Sequence, residues 1–319
     1  MPSPTDSRMV LTVVGPTASG KSELAMRIAE HVGGEIVSAD SMQIYRGMDI
    51  GTAKIPADER RVPHFGLDIL DPGMPYSAAL FQDYARACFA NISARGKTPI
   101  LAGGTGFYVR AAIDGYDFAS GEQSGNPVRE RYAALADAQG AEAVWEVLRQ
   151  RDPASADVIH PHNVKRAIRA LEMLEIDGAS YAERARRLSN IPQVVDARIV
   201  YLHVDADVLH DRIDARVDGM FEAGLVEEVR GLCERGFREA CTARGAIGYK
   251  EVAAAFDGDC TLAEAREAIK TASRRYAKRQ RSWWRRDARA HVVDATDADF
   301  ERILEEALRF FAGEGEVRP

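Results

Sequence analysis

The octet Gly15-Pro16-Thr17-Ala18-Ser19-Gly20-Lys21-Ser22 has the spacing of a loop that wraps phosphates. In such a loop the backbone N–H groups turn inward and the positive end of the following helix adds to them. Together they hold a phosphate chain. Lys21 supplies a point charge, and the Ser22 hydroxyl can bind Mg²⁺. The octet follows an apolar run at 9–14 and opens a helical pattern, the context this motif requires. It specifies a di- or triphosphate ligand and leaves the reaction open.

Two further segments carry chemistry. Asp40, in the run Ser-Ala-Asp-Ser-Met-Gln-Ile-Tyr at 38–45, directly follows a second apolar run. Residues leaving the C-terminal ends of parallel strands face the ligand crevice. There a carboxylate can act as a general base or hold a metal ion through water; a turn or helix cap is the plain alternative. At 103–110 the chain reads Gly-Gly-Thr-Gly-Phe-Tyr-Val-Arg, again after an apolar run. Its glycines permit close approach of a ligand and Thr105 offers a hydroxyl, or the segment is only a tight strand-to-helix turn.

Charge points to a partner. The chain carries a net charge of −7 with a pI near 5.6, so it does not attract nucleic acid as a whole. Yet 274–286 holds Arg274, Arg275, Lys278, Arg279, Arg281, Arg285 and Arg286. That density in an acidic chain argues for a polyanion. Tyr276, Gln280, Trp283 and Trp284 fall on one face of the same helical pattern, and the tryptophans are read as packed into the core. Arg212 and Arg216, on another helix, could close over phosphates, with solvated charges the plainer alternative. His64, His160 and His162 lack metal-ligand spacing and read as local hydrogen-bond partners. Cys88, Cys233, Cys241 and Cys260 form no C-x-x-C pair and read as reduced, buried thiols.

The elements that must position these groups follow from periodicity. Runs at 9–14, 35–38 and 98–102 read as buried parallel strands, with one more strand possible at 65–70. Between them, Leu24, Ile28 and Val32 recur at helical spacing, as do Phe81, Tyr84, Cys88 and Ile92. Strand–helix alternation of this kind predicts an α/β fold with helices covering a parallel sheet. A polar, Gly/Ser-rich stretch at 117–127 reads as a linker. Only helical patterns continue to 188, and strand character returns at 198–204 and 291–293. The expected organisation is an α/β core from 1–116 and 198–319, interrupted by a helical insertion at 117–197. At 319 residues, 46% of them apolar, the chain can bury such a core. No apolar run approaches the ~20 residues of a membrane span, and residues 1–8 lack the apolar centre of a signal peptide. The cytoplasm is therefore the expected location.

Taken in order, GPTASGKS, SADSMQIYRGMDIGTAK, GGTGFYVRA, RALE, RVDGMFEAGLVEEV, AIGYKE and YAKRQRSWWR resemble the tRNA dimethylallyltransferase family across most of residues 10–286. The phosphate loop is shared with many kinases; the second and last blocks are far more specific. The resemblance implies a P-loop NTPase-like core and transfer of a dimethylallyl group from dimethylallyl diphosphate, with Mg²⁺, to tRNA. The acceptor would be the exocyclic amine of the adenine 3′ of the anticodon, in tRNAs reading codons that begin with U. It implies that Asp40 is the base, that Ser41, Met42 and Gln43 line the base pocket, and that Thr105 supports the pyrophosphate or the acceptor. Arg129 and the run Lys165, Arg166, Ala167, Ile168, Arg169 match positions used on tRNA, and Arg274, Arg275, Lys278, Arg279 and Arg281 would join them. Where the family commonly has Gln or Arg this chain has Gly245, so Arg244 is expected to take over a pyrophosphate contact. The lack of a C-terminal zinc finger makes it look bacterial, and a monomer is expected. Three rivals stay open: a P-loop kinase of a small metabolite, an adenylate prenyltransferase using free nucleotides, and a non-catalytic RNA-binding module.

Overall fold

The computed structural model describes residues 8–118, 126–188, 191–240, 242–297 and 299–314. The chain divides into two compact units, Met1–Ile113 with Val194–Pro319, and Asp114–Gln193, against expected boundaries at 117 and 197.

The first unit is built on six parallel strands, β1 Val10–Val14, β2 Gly34–Ser38, β3 His64–Phe65, β4 Thr98–Gly103, β5 Ala197–His203 and β6 Ala290–Asp294. Their order is β3-β2-β4-β1-β5-β6. β1 lies between β4 and β5, and all five of its residues are buried. That is why it reads as a continuous apolar run rather than an alternating one. Alternation survives as a division of faces: Leu11 and Val13 join one core layer, Val10 and Val14 the other. Around the sheet run α1 Lys21–Val32, α2 Ala78–Ala94 and α3 Gly106–Ile113. Ser77 caps α2, its side chain accepting the Leu80 N–H at 3.2 Å.

The second unit is helical: α4 Pro127–Gln139, α5 Ala141–Arg151, α6 Pro153–Val158, α7 Val164–Asp177 and α8 Tyr181–Leu188. Its core gathers Tyr132, Val144, Leu148, Ile159 and Leu171. The chain then returns to the first unit with α9 Ala206–Glu222, α10 Leu225–Cys233, α11 Tyr249–Phe256, α12 Leu262–Trp284 and α13 Phe300–Ala312.

The strand expected at 65–70 is cut to two residues. Gly66 and Asp68 take positive φ (81° and 56°), which ends the ladder. The turn places the Asp68 carboxylate 2.6 Å from the buried Lys54 ammonium, which also meets Asp49 at 2.5 Å. No helix among the described residues is long and apolar enough to cross a membrane. Of the described cysteines Cys88 is buried, whereas Cys233 and Cys260 are only partly covered.

Candidate functional site

Every strand that carries a motif delivers it at the same edge of the sheet. Val14 pairs with Gly103 and Ser38 with Ala102, so the loops after β1, β2 and β4 emerge side by side. The phosphate loop is shaped by two left-handed residues, Ala18 (φ 62°) and Gly20 (φ 87°), a backbone of the kind that forms anion-binding concavities. Ser19 Oγ is buried within the loop without a hydrogen-bond partner among the described residues. Lys21 Nζ donates to the Pro16 carbonyl at 3.1 Å. Burial first, and then the Arg216 charge, lower its pKa to about 8, while the Asp40 carboxylate pulls the other way.

Asp40 leaves β2 in a side-chain turn: its Oδ1 accepts the Met42 N–H at 2.9 Å. Oδ2 has no hydrogen bond among the described residues. Thr105 Oγ1 accepts the Ser41 N–H at 3.2 Å and so ties the third motif to the second. Gln43 accepts from Ser38 Oγ at 3.0 Å and donates to the Thr52 carbonyl at 3.2 Å. A small cleft of about 80 Å³ is lined by Lys21, Ser22, Asp40, Gln43, Arg216 and Gln280, among others. A larger one of about 450 Å³ shares Thr17, Asp40, Thr52, Arg216 and Tyr276 with it. It runs past Ser41 and Met42 to Arg275 and Arg279, beside an apolar wall that includes Ile213, Met220 and Ile247.

Three residues from α9 and α12 complete this site. Arg216 is not solvated. It donates to Thr17 Oγ1 of the phosphate loop at 2.9 Å and to the Thr52 carbonyl at 3.4 Å, and burial pulls its pKa down against the opposing pull of Asp40. Gln280 and Tyr276 belong to the site rather than to a core face. Gln280 accepts the Thr17 N–H at 2.9 Å and donates to the Gly104 carbonyl at 2.8 Å, so one amide joins the first motif to the third. A Cβ on Gly104 would come within 2.2 Å of that amide, so a side chain here would push the Gln280 bridge aside. The Tyr276 phenol, beside Asp40, is pushed up to about 12, chiefly by burial. The core reading holds for Trp284, which is buried, while Trp283 stays 39% exposed. Arg212 is likewise engaged, donating to the Ala295 and Thr296 carbonyls at 3.2 and 3.0 Å.

Other expected residues lie elsewhere. Arg244 is exposed on a short 3₁₀ turn, and its neighbour Gly245 lines the larger cleft in its place. Within the helical unit, Ala167 and Ile168 face the core, which removes them from any surface on which RNA would lie. Arg129 and Arg169 both pair with the buried Glu172, at 2.8 and 2.7 Å, so they hold the unit together. Lys165 and Arg166 stand exposed. On α12, Arg274 pairs with Asp214, while Arg275, Lys278, Arg279 and Arg281 have no carboxylate partner among the described residues.

No group of three or more His, Cys, Asp or Glu among the described residues is arranged to hold a metal ion. The exposed Ser22 hydroxyl beside the cleft and the nearby Asp40 fit a Mg²⁺ held mainly by phosphate oxygens and water. His64 and His160 make the local hydrogen bonds expected of them, to the Val62 carbonyl and from the His162 N–H.

Comparison with known proteins places this geometry. A family model described as IPP transferase matches residues 43–287, and one described as isopentenyl transferase matches residues 8–61. The chain is 47% identical to a tRNA dimethylallyltransferase of Geobacillus kaustophilus, covering 95% of this chain and 96% of that protein. It is 46% identical to one of Nocardia farcinica, over 91% of each. Among solved structures, the full-length tRNA isopentenylpyrophosphate transferase from Bacillus halodurans superposes with a TM-score of 0.72 at 41% identity, over 96% of both chains. A eukaryotic dimethylallyltransferase acting on tRNA superposes with a TM-score of 0.80 at 26% identity, covering 98% of this chain and 82% of the other.

Proposed function

The chain belongs to the IPP transferase family, of bacterial type, and is a tRNA-modifying prenyltransferase; from that premise we propose the reaction and the residues that run it. The donor is dimethylallyl diphosphate. The acceptor is the exocyclic amine of the adenine 3′ of the anticodon, in tRNAs reading codons that begin with U. The observation that carries the reading is one cleft holding two half-buried cations at a phosphate loop and a carboxylate with one oxygen uncommitted.

The amine is a weak nucleophile because its lone pair is delocalised into the purine. As its nitrogen bonds to the prenyl carbon, the C–O bond to the diphosphate breaks. The amine proton passes to Asp40 Oδ2 and from there to water. Charge growing on the departing diphosphate is met by Lys21, Arg216 and the loop amides. Mg²⁺, when bound at Ser22 and the phosphates, would neutralise part of the same charge. Thr105 and Tyr276 border the point of transfer. The adenine must leave its stack to enter, at a cost of a few kcal/mol that is lowest in a single-stranded loop. Arg275 and Arg279 at the cleft rim suit the RNA phosphates beside it. A monomer acting in the cytoplasm completes the reading.

Incubation with unmodified tRNA and labelled dimethylallyl diphosphate, with and without Mg²⁺, tests this. Wild-type protein should label the tRNA, and Asp40→Asn should lower the single-turnover rate by roughly 10²–10⁴. Asn can keep the Oδ1 bond to Met42, so the turn survives and only the proton acceptor is lost. Labelling of free adenylate, or phosphoryl transfer from ATP without a prenyl donor, would replace this reading with one of its rivals.

A further inference from the structure

We propose that Glu228, on α10 and not among the residues lining either cleft, is a positioning residue for the transfer: its carboxylate fixes the turn at 49–51 and so sets the Thr52 carbonyl that steadies Arg216 over the phosphate loop. The proposal rests on the role given above to Arg216.

Four donors converge on this one side chain. The N–H groups of Asp49 and Ile50 donate to Oε2 at 3.0 and 2.8 Å, the Gly51 N–H to Oε1 at 3.2 Å, and the Tyr249 hydroxyl to Oε1 at 2.6 Å. A carboxylate has about four lone-pair sites, so Glu228 is saturated by the turn and by α11. Tyr249 is fully buried, and its ring fills the space where a Cβ on Gly51 would stand, 2.4 Å from the nearest ring carbon. The turn is therefore held by its amides on one side and pressed against an aromatic ring on the other.

The turn leads directly into catalytic machinery. Thr52 Oγ1 donates to the Met48 carbonyl at 2.6 Å and closes the turn. The Thr52 carbonyl then accepts from Arg216 Nη2, while Arg216 Nη1 holds Thr17. Hydrogen bonds joined through the Gly51–Thr52 backbone thus run from α10 to the phosphate loop.

Glu228→Gln retains size and replaces one acceptor oxygen with an NH₂ group that faces N–H or O–H donors. We expect kcat to fall roughly 10–100-fold, the scale of small misplacements in an active site, with the tRNA Kd unchanged. The deciding measurement is a double-mutant cycle with Arg216→Ala. If Glu228 acts through Arg216, Glu228→Gln has no further effect on kcat in the Arg216→Ala background, and Glu228→Asp recovers part of the rate in the wild-type background. A full, additive loss in both backgrounds, or wild-type kcat in Glu228→Gln, overturns the proposal. Should Glu228→Gln fail to fold, Tyr249→Phe removes one donor from the same carboxylate and enters the same cycle. Absence of prenyl transfer by the wild-type protein would instead remove the reading on which the proposal rests.

Discussion

At the residue scale, the site is governed by two cations held where water is scarce. Lys21 is lowered to about 8, first by burial and then by Arg216. Its ammonium is the form that pairs with an anionic diphosphate, and that form is lost as pH rises through 8. Donor affinity should therefore be flat below about pH 7 and weaken above pH 8, approaching tenfold per unit. Titration of dimethylallyl diphosphate between pH 6.5 and 9.5 measures this. Lys21→Ala should bind weakly throughout and show a flatter profile, and a wild-type profile in that variant would detach the pH dependence from Lys21. The loop, Asp40 and Thr105 were legible in the sequence because each sits in a contiguous block after a strand. Gln280 and Glu228 were not, and Arg216 stood between two readings, because each acts on a partner 164 to 263 positions away. An arginine three places from Ile213 on a helix looks like any solvated charge until its partner is known. Arg244 shows the converse error: family spacing suggested a contact, but a one-residue offset on a short turn leaves its side chain outside.

At the scale of elements, α12 is the piece that makes three separate loops into one site. Its sequence announced an aromatic face and a basic face, and periodicity alone assigns an aromatic face to the core. Trp284 obeys. Gln280, one turn earlier, instead spans from the Thr17 N–H to the Gly104 carbonyl, and Tyr276 borders Asp40. The strands were readable for the opposite reason: being buried on both faces, they need unbroken apolar runs, and only β3 was overestimated, where a positive-φ turn serves the Lys54 ion pairs. Gln280→Ala should leave the Thr17 N–H and the Gly104 carbonyl unpaired in a covered site, at about 1–3 kcal/mol of stability. It should also lower kcat/KM for donor and acceptor together, since it uncouples the loops that serve each. Gln280→Glu keeps the acceptor but loses the donor, and should fall between. A fall in stability with unchanged kinetics, from thermal unfolding and steady-state assays side by side, would leave the bridge as packing only.

At the scale of the whole molecule, the distribution of partners matters more than net charge. The chain is acidic overall, and many of its arginines are spent on its own carboxylates, among them Arg129 and Arg169 on Glu172 and Arg151 on Glu175. Cations without a carboxylate among the described residues are concentrated on α12 and just past its end, where Lys278, Arg281, Arg285 and Arg286 join His210 around a groove of about 600 Å³ beside α9. The sequence showed where basic residues are dense but not which of them are already neutralised, since the neutralising acids lie on other elements. Mutations should therefore separate by partner, not by position in a motif. Lys278→Ala with Arg285→Ala, and separately Lys165→Ala with Arg166→Ala, should weaken tRNA binding. Each pair should reduce the slope of log K against log salt by about 0.7–0.9 per lost phosphate contact, with the thermal midpoint held. Arg169→Ala should act in the other direction. It takes one partner from a buried carboxylate and should destabilise by about 1 kcal/mol or more, held below the figure for a fully buried pair because the guanidinium is 43% exposed and Arg129 stays in place. Its salt slope should stay close to wild type. Binding isotherms across a salt series, run beside thermal unfolding, distinguish the two classes; a lowered slope in Arg169→Ala at unchanged stability would mean that the Glu172 pairing gives way when RNA binds.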